Sequence, residues 1–371
     1  MIALGLMSGT SMDGIDGALV DTDGEKAVER GPSFFVPYDD AFRAKLTAAL
    51  ETAKRIRTRE ERPGELAALE REITLRHADA VAQFLDGLPA RWRDVSVVGF
   101  HGQTVLHRPA EGVTVQLGEG ALLSERVGLP VVWDMRAADM EAGGQGAPLV
   151  SAYHAALARS LFPDRLPAVI VNIGGISNIS FVPAKGEPIA FDTGPGNALI
   201  DQWVARSGLA YDADGAVAAK GRVAEAAQDA YLAKPFFSQP GPKSLDRLDF
   251  TLAEAEGLGL EDGARTLAAV SAGAILRAVE HLPEAPKLWV ICGGGRKNPH
   301  IVGDLRAGAS VPVIVAEEVG LDGDATEAEA WGYLAVRSLR GLPLTYPGTT
   351  GCREAVTGGV HSVPKGKSEA A

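Results

Sequence analysis

The chain has 371 residues, 46% of them hydrophobic and 23% charged, with a net charge of −12. That length implies about two domains, and that composition a soluble globular protein. The acidic balance and the lack of any long Lys/Arg-rich run argue against polynucleotide binding, and no apolar stretch approaches the ~18 residues of a membrane span.

Taken in chain order, the N-terminus has no basic lead and runs directly into an apolar strand, so no signal peptide is expected. Strands are expected over residues 2–7 and 15–22, joined by the glycine-rich turn Ser8-Gly9-Thr10-Ser11-Met12-Asp13-Gly14, with a short third strand over 33–36. Helices follow over 40–57 and 64–85. In the second, Leu66, Leu69, Ile73, Ala80 and Phe84 share a face suited to lying on a sheet. Residues 54–62 (KRIRTREER), the densest basic stretch, carry interleaved acids and read as a solvated helix end. Strands over 95–100, 113–117 and 131–133 and a short helix over 120–127 complete the first half. Residues 137–148 (AADMEAGGQGAP) have the glycine density of a hinge or cleft-lining loop, and a helix over 148–161 leads onward.

The second half repeats the order. Strands over 168–173, 179–182 and 189–191, the first two joined by the glycine turn Gly174-Gly175-Ile176-Ser177-Asn178, precede a helix over 196–207. Helices over 222–233 and 262–282, a strand over 288–292, a helix over 298–307, a strand over 311–315 and a helix over 324–339 follow. Three meandering strands and then alternating helices and strands, twice over, predict two mixed sheets with helices on both faces. The tail from residue 347 is rich in Gly and Thr, and its last eight or so residues are expected to be disordered. Two cysteines, Cys292 and Cys352, form no disulfide framework and point to a reducing cytoplasm. Cys292, with no Cys/His metal spacing around it, reads as a small residue at a strand end.

Backbone N–H groups bind a phosphate chain best where glycine permits close approach. The Ser8–Ser11 segment offers that, although a purely structural turn has the same composition. Asp13 and Asp16 beside such a turn make sense near a divalent cation or a sugar hydroxyl; for Asp16 the plain alternative is a partner in a strand-start turn. The run Phe191-Asp192-Thr193-Gly194-Pro195-Gly196-Asn197 places a carboxylate before a two-glycine turn and a helix start, whose free N–H groups and dipole favour phosphate. There Asp192 can take a proton from an attacking hydroxyl or water, or cap the turn. In Cys292-Gly293-Gly294-Gly295-Arg296-Lys297-Asn298, consecutive glycines let a flat ring such as adenine lie on the backbone. Neither the Walker nor the Rossmann spacing occurs. His101-Gly102-Gln103-Thr104 is expected at a strand end, with His101 read as a positioning residue in preference to a general base.

Duplicated hairpins with glycine turns resemble the actin, hexokinase and Hsp70 superfamily. Within it, seven ordered motifs resemble the anhydro-N-acetylmuramic acid kinase family: LMSGTSMDGID (6–16), HGQT (101–104), GGQGAPL (143–149), NIGGISN (172–178), FDTGPGN (191–197), GPKS (241–244) and CGGG (292–295). The resemblance implies an α/β fold of two duplicated ribonuclease H-like domains, the actin-like ATPase fold, around a central cleft. Residues 1–134, joined by 345–371, would form one domain and residues 135–344 the other. It also implies a bacterial cytoplasmic homodimer, using ATP and Mg²⁺, that opens 1,6-anhydro-N-acetylmuramic acid with water and phosphorylates O6 in peptidoglycan recycling.

On the same resemblance the catalytic residues are Asp192, the base, and Glu327, the acidic residue before the last helix. Gly9, Thr10, Ser11, Met12, Asp13, Gly14, Ile15 and Asp16 form the phosphate turn. Asn172, Gly174, Gly175, Gly194, Gly196, Asn197, Gly293, Gly294, Gly295 and Asn298 complete the ATP site. Ser11, Asp13, His101, Gln103, Thr104 and Arg136 would contact the sugar, and no protein ligand to a metal is implied. Thr193 stands where some members carry Cys, and residues 135–139 (MRAAD) hold fewer arginines than some relatives. Two rival readings are a kinase of the same superfamily acting on an intact sugar or a carboxylate, and a nucleotide-binding switch without catalysis.

Overall fold

The computed structural model describes residues 1–9, 11–245 and 249–365. Thr10, assigned to the phosphate turn, and residues 366–371, expected to be disordered, lie outside them. Contacts divide the chain into two units, Met1–Ser160 with Ala325–Ala371, and Leu161–Asp324.

The first unit opens on β1 (Ile2–Ser8), β2 (Gly14–Thr22) and β3 (Val28–Pro37), an antiparallel meander. Helix α1 (Asp40–Ala53) starts where the Asp39 carboxylate accepts from the Phe42 N–H, and α2 (Leu66–Asp86) follows. Strand β4 (Val95–Arg108) runs parallel to β1, and β5 (Val113–Leu117) returns antiparallel along it. Helix α3 (Gly120–Val127) leads to β6 (Val131–Trp133), parallel to β4, and then come α4 (Ala137–Glu141) and α5 (Ser151–Leu161).

The second unit repeats the plan with the antiparallel strands β7 (Ala168–Ile173), β8 (Ile176–Val182) and β9 (Ile189–Pro195). Helices α6 (Ala198–Ala205), α7 (Glu225–Leu232) and α8 (Leu260–Ala278) precede β10 (Leu288–Cys292), which is parallel to β7. Helix α9 (Pro299–Gly308) connects to β11 (Val313–Val315), parallel to β10. The chain then returns to the first unit as α10 (Thr326–Leu339), α11 (Pro347–Thr350) and β12 (Val360–Ser362), the last antiparallel to β6. The strand orders β3-β2-β1-β4-β6 and β9-β8-β7-β10-β11 are the same, so each unit is ribonuclease H-like.

Strand alternation sets the core. Leu4, Leu6, Val98 and Phe100 point to the face packed with Val81 of α2 and Leu123 of α3. The opposite face takes α10. A Cβ on Gly5 or Gly99 would overlap the α10 carbonyl of Ala328 or Trp331, so glycine lets this helix lie on the strands. In the second unit Val169, Val171, Ile173, Phe181 and Ile291 pack with Leu199, Trp203, Leu267, Ile275 and Leu305. Each such fully buried side chain contributes about 1.5–3 kcal/mol.

Several expectations change. Strand β4 runs on through His101–Thr104 because β5 pairs with its far half, Gln103 opposite Leu117. Strand β9 likewise continues through Asp192 to Pro195, held by a longer β8. The expected loop 137–148 contains α4. Residues 54–62 join α1 to α2, and β12 arises in a tail with no strand pattern. The contact boundaries fall at 160/161 and 324/325, where 134/135 and 344/345 were expected, because α10 packs on β1, β2 and β4. Among the described residues no helix is long and apolar enough to cross a membrane.

Candidate active site

In the first unit the candidate residues gather on the β1–β2 turn. Ser8, buried at the start, bonds His77 Nε2 at 2.6 Å. Burial pulls His77 down to about 4, so its ring is neutral. Its Nδ1 donates to the Ile73 carbonyl and Nε2 accepts from Ser8. The turn closes through Met12 N–H to the Gly9 carbonyl (3.1 Å), with Met12 at φ +53, and Ser11 Oγ donates to Asp13 Oδ1 at 2.5 Å. Gln103 reaches this turn from β4, its Nε2 donating to the Gly9 carbonyl at 3.0 Å. Asp16 lies on β2 opposite Met7, whereas Ile15 is buried in the core against α1 residues. Thr104 is engaged by Gln116 of β5.

Arg136 organises the neighbouring wall. Its Nη2 lies 3.0 Å from His101 Nε2, and its Nη1 donates to the Gly146 carbonyl at 2.6 Å. The guanidinium carbon is 5.3 Å from the Trp331 ring centroid, and the His101 ring is 4.5 Å from the same indole. Burial pulls Arg136 down to about 10, opposed by the carboxylates of Glu327 and Asp139. Burial, and then the Arg136 charge, hold the His101 imidazole well below its usual range. With Nε2 facing the guanidinium, the neutral ring carries its proton on Nδ1 and is no base at Nε2. Buried Asp139 fastens this wall from behind: Oδ1 accepts from Thr345 (2.5 Å) and Thr350 (2.6 Å), and Oδ2 from the Gly146 N–H (2.7 Å).

In the second unit three glycine turns converge. Gly196 N–H donates to the Gly175 carbonyl (2.9 Å) and Asn197 N–H to that of Gly174 (2.8 Å), which docks the β9–α6 turn on the β7–β8 turn. Gly293, at φ +76, brings the β10–α9 turn against Asn172, where a Cβ would overlap the amide. Gly295 lies against Ile173 and Asn197, and Gly294 beside Asn197. Gly194 pairs with Ser177 on β8. Among the described residues no side chain caps α6; the Ala198 N–H at its start donates to the Gly175 carbonyl at 3.1 Å. The Asn298 side chain, by contrast, caps α9, accepting from His300 N–H (3.0 Å). Arg296 steadies the glycine turn with a two-pronged bond to Asp324 and a third to Glu317.

Asp192 lies on β9 opposite Asn178, which in turn lies opposite Asn172, so the three share one face of the sheet. The residue is 8% exposed. Burial pushes its carboxyl up to about 7, against the Leu245 N–H that Oδ2 accepts at 2.8 Å. A carboxyl poised near neutrality is suited to general-base work.

The expected residues thus fall into two groups. Gly9, Gln103, His101, Arg136 and Glu327, the last in the first turn of α10, belong to the first unit, and Asp192 with the convergent glycine turns to the second. Sequence reasoning missed Asp139, Asn178, Trp331 and Lys243. Asn178 closes the NIGGISN motif and Lys243 lies in GPKS, so for both a signal was present in motifs already singled out.

Two ribonuclease H-like units, each opening on a glycine hairpin, place the chain in the actin-like ATPase superfamily. The profile described as anhydro-N-acetylmuramic acid kinase matches residues 1–363. Relatives of that name are 56% identical in Agrobacterium fabrum (strain C58), covering 96% of this chain and 97% of the relative, and 54% identical in Rhizobium etli, covering 98% of each. The chain belongs to the anhydro-N-acetylmuramic acid kinase family, and it is an enzyme that transfers phosphoryl groups. Two solved structures that the chain also resembles are more distant. The activator of the 2-hydroxyisocaproyl-CoA dehydratase from Clostridium difficile is 12% identical over 92% of this chain and 96% of its own, with a TM-score of 0.46. A ROK family glucokinase from Streptomyces griseus is 15% identical over 89% and 98%, with a TM-score of 0.40. Likenesses this loose transfer no residue roles.

Proposed function

We propose that the chain uses ATP to convert 1,6-anhydro-N-acetylmuramic acid into N-acetylmuramic acid 6-phosphate and ADP, a step of peptidoglycan recycling and amino-sugar catabolism, as a homodimer in the bacterial cytoplasm. Family membership supports the substrate pair. The observation that carries the chemistry is Asp192, a buried carboxyl pushed up to about 7 in the unit where three glycine turns meet.

In this reading the glycine turns take the phosphates through backbone N–H groups, and Gly293–Gly295 take the adenine. Asp192 accepts a proton from water as the water oxygen bonds to C1. The C1–O6 bond breaks, and O6 takes the γ-phosphoryl group as its bond to ADP breaks. The hydroxyl ends on C1, and the proton leaves Asp192 for solvent. Because phosphoryl capture removes the charge from O6, neither a free alkoxide nor a strong acid is needed. His101, Gln103, Thr104 and Arg136 hold the sugar, together with Ser11 and Asp13, and Glu327 is the second catalytic carboxylate. When bound, Mg²⁺ would supply charge neutralisation to the phosphates. Asp13 and Asp16, flanking the β1–β2 turn, are the carboxylates that fit beside its water shell. Among the described residues no three His, Cys, Asp or Glu side chains gather into a site that could hold the ion alone.

Asp192→Asn tests the assignment. We expect kcat to fall by at least ~10²–10⁴-fold while calorimetry still records ATP binding; near-normal kcat contradicts it.

A further inference from the structure

The segment Gly241-Pro242-Lys243-Ser244 has no part in the mechanism above, yet it holds the proposed base at two points. Asp192 N–H donates to the Lys243 carbonyl at 2.9 Å, and Asp192 Oδ2 accepts from the Leu245 N–H at 2.8 Å. The first bond places the Cα, and the second sets the rotamer. The direction of the carboxylate therefore depends on residues 243–245 as much as on β9. Gly241 lies against the Phe191 ring, where a Cβ would overlap it, so the segment can follow β9 this closely.

The segment is fastened in turn by its lysine. Lys243 is 9% exposed, and its ammonium donates to the carbonyls of Phe236 (2.9 Å) and Gln239 (2.8 Å). It stands 4.4 Å from the Phe236 ring centroid and 5.7 Å from that of Phe191, the residue before the base. Both acceptors are neutral carbonyls, and burial draws the ammonium down to about 8. A methionine would fill the same space with no charge to desolvate, so the cation has a use beyond packing.

We propose that Lys243 is the anchor that aims Asp192: it fastens the Gly241–Leu245 segment to the Phe236–Gln239 turn, and the segment points the carboxylate at the attacking water. This rests on the assignment of Asp192 as the general base. Lys243 touches neither substrate in this scheme; it is a positioning residue.

Lys243→Met keeps an unbranched side chain one atom shorter and removes its donors. The expected result is a fall in kcat of about 10- to 100-fold, the range for a reacting group displaced by ~1 Å, with KM for ATP and for the anhydro-sugar unchanged. Lys243→Arg, which keeps a cation and its donors, recovers most of the lost rate. If melting shows that the Met variant does not fold, Lys243→Gln takes its place with the same readings. A folded variant with wild-type kcat overturns the proposal, and so does a raised KM with unchanged kcat, which would make Lys243 a substrate contact. Asp192→Asn is assayed in parallel. Wild-type turnover there means that the base assignment has failed; an inactive Asp192→Asn beside a fully active Lys243→Met means that only the anchor has.

Discussion

Buried where β9 meets the Gly241–Leu245 segment, Asp192 binds its proton up to about pH 7, against 3.8 for an ordinary aspartate. Between those values the folded protein holds a proton that the unfolded chain has released. Its contribution to stability is therefore fully present below 3.8 and is lost as pH rises through about 7. Catalysis needs the opposite form, since only the ionised carboxylate can accept a proton. Two outcomes follow at this scale. Asp192→Asn, inactive, melts at a higher temperature than the parent at pH 8, with the gap closing toward pH 4; equal melting at pH 8 contradicts the burial argument. In the parent, kcat/KM falls about tenfold per unit below pH ~7, and a flat profile down to pH 5 removes Asp192 as the base. Asp192 was legible because a carboxylate before two glycines and a helix start has few plain explanations. The tie to Leu245 was not, because it spans 53 residues and depends on how a loop returns to β9; for Lys243 the GPKS motif marked the residue and not its contact.

Helix α10 shows how an element serves both fold and site. It lies on the strand face carrying Gly5 and Gly99, and it presents Glu327 in its first turn and Trp331 beneath His101 and Arg136. Gly99→Ala would push a methyl group into the Trp331 carbonyl. We expect a loss of about 1–3 kcal/mol in stability, read as a lower melting temperature, together with reduced turnover; an unchanged melting temperature would mean that α10 does not lie this close. The strands over 113–117, 131–133, 168–173 and 288–292 were read at their observed bounds, because short apolar runs between turn residues leave little choice. Lengths set by a partner were not readable. Strand β4 reaches Arg108 and β9 reaches Pro195 because neighbours continue the ladder. The helix over 324–339 was expected, but nothing in its sequence named the sheet that it packs on.

For the whole molecule, the repeated strand order explains why two glycine hairpins were the strongest sign of the architecture: each marks the first turn of a unit. A non-hydrolysable ATP analogue at 100 times its Kd is expected to stabilise the parent and Asp192→Asn alike by about 2.7 kcal/mol, because the base is not assigned to nucleotide binding; loss of that gain in the variant would move Asp192 into the ATP site. The central claim concerns where water goes. Turnover of the anhydro-sugar in H₂¹⁸O, with the product analysed before the anomeric hydroxyl exchanges, tests it most directly. The account predicts one ¹⁸O at C1 and none in the phosphoryl group. An unlabelled product with its bridge intact, or label on phosphorus, would contradict it.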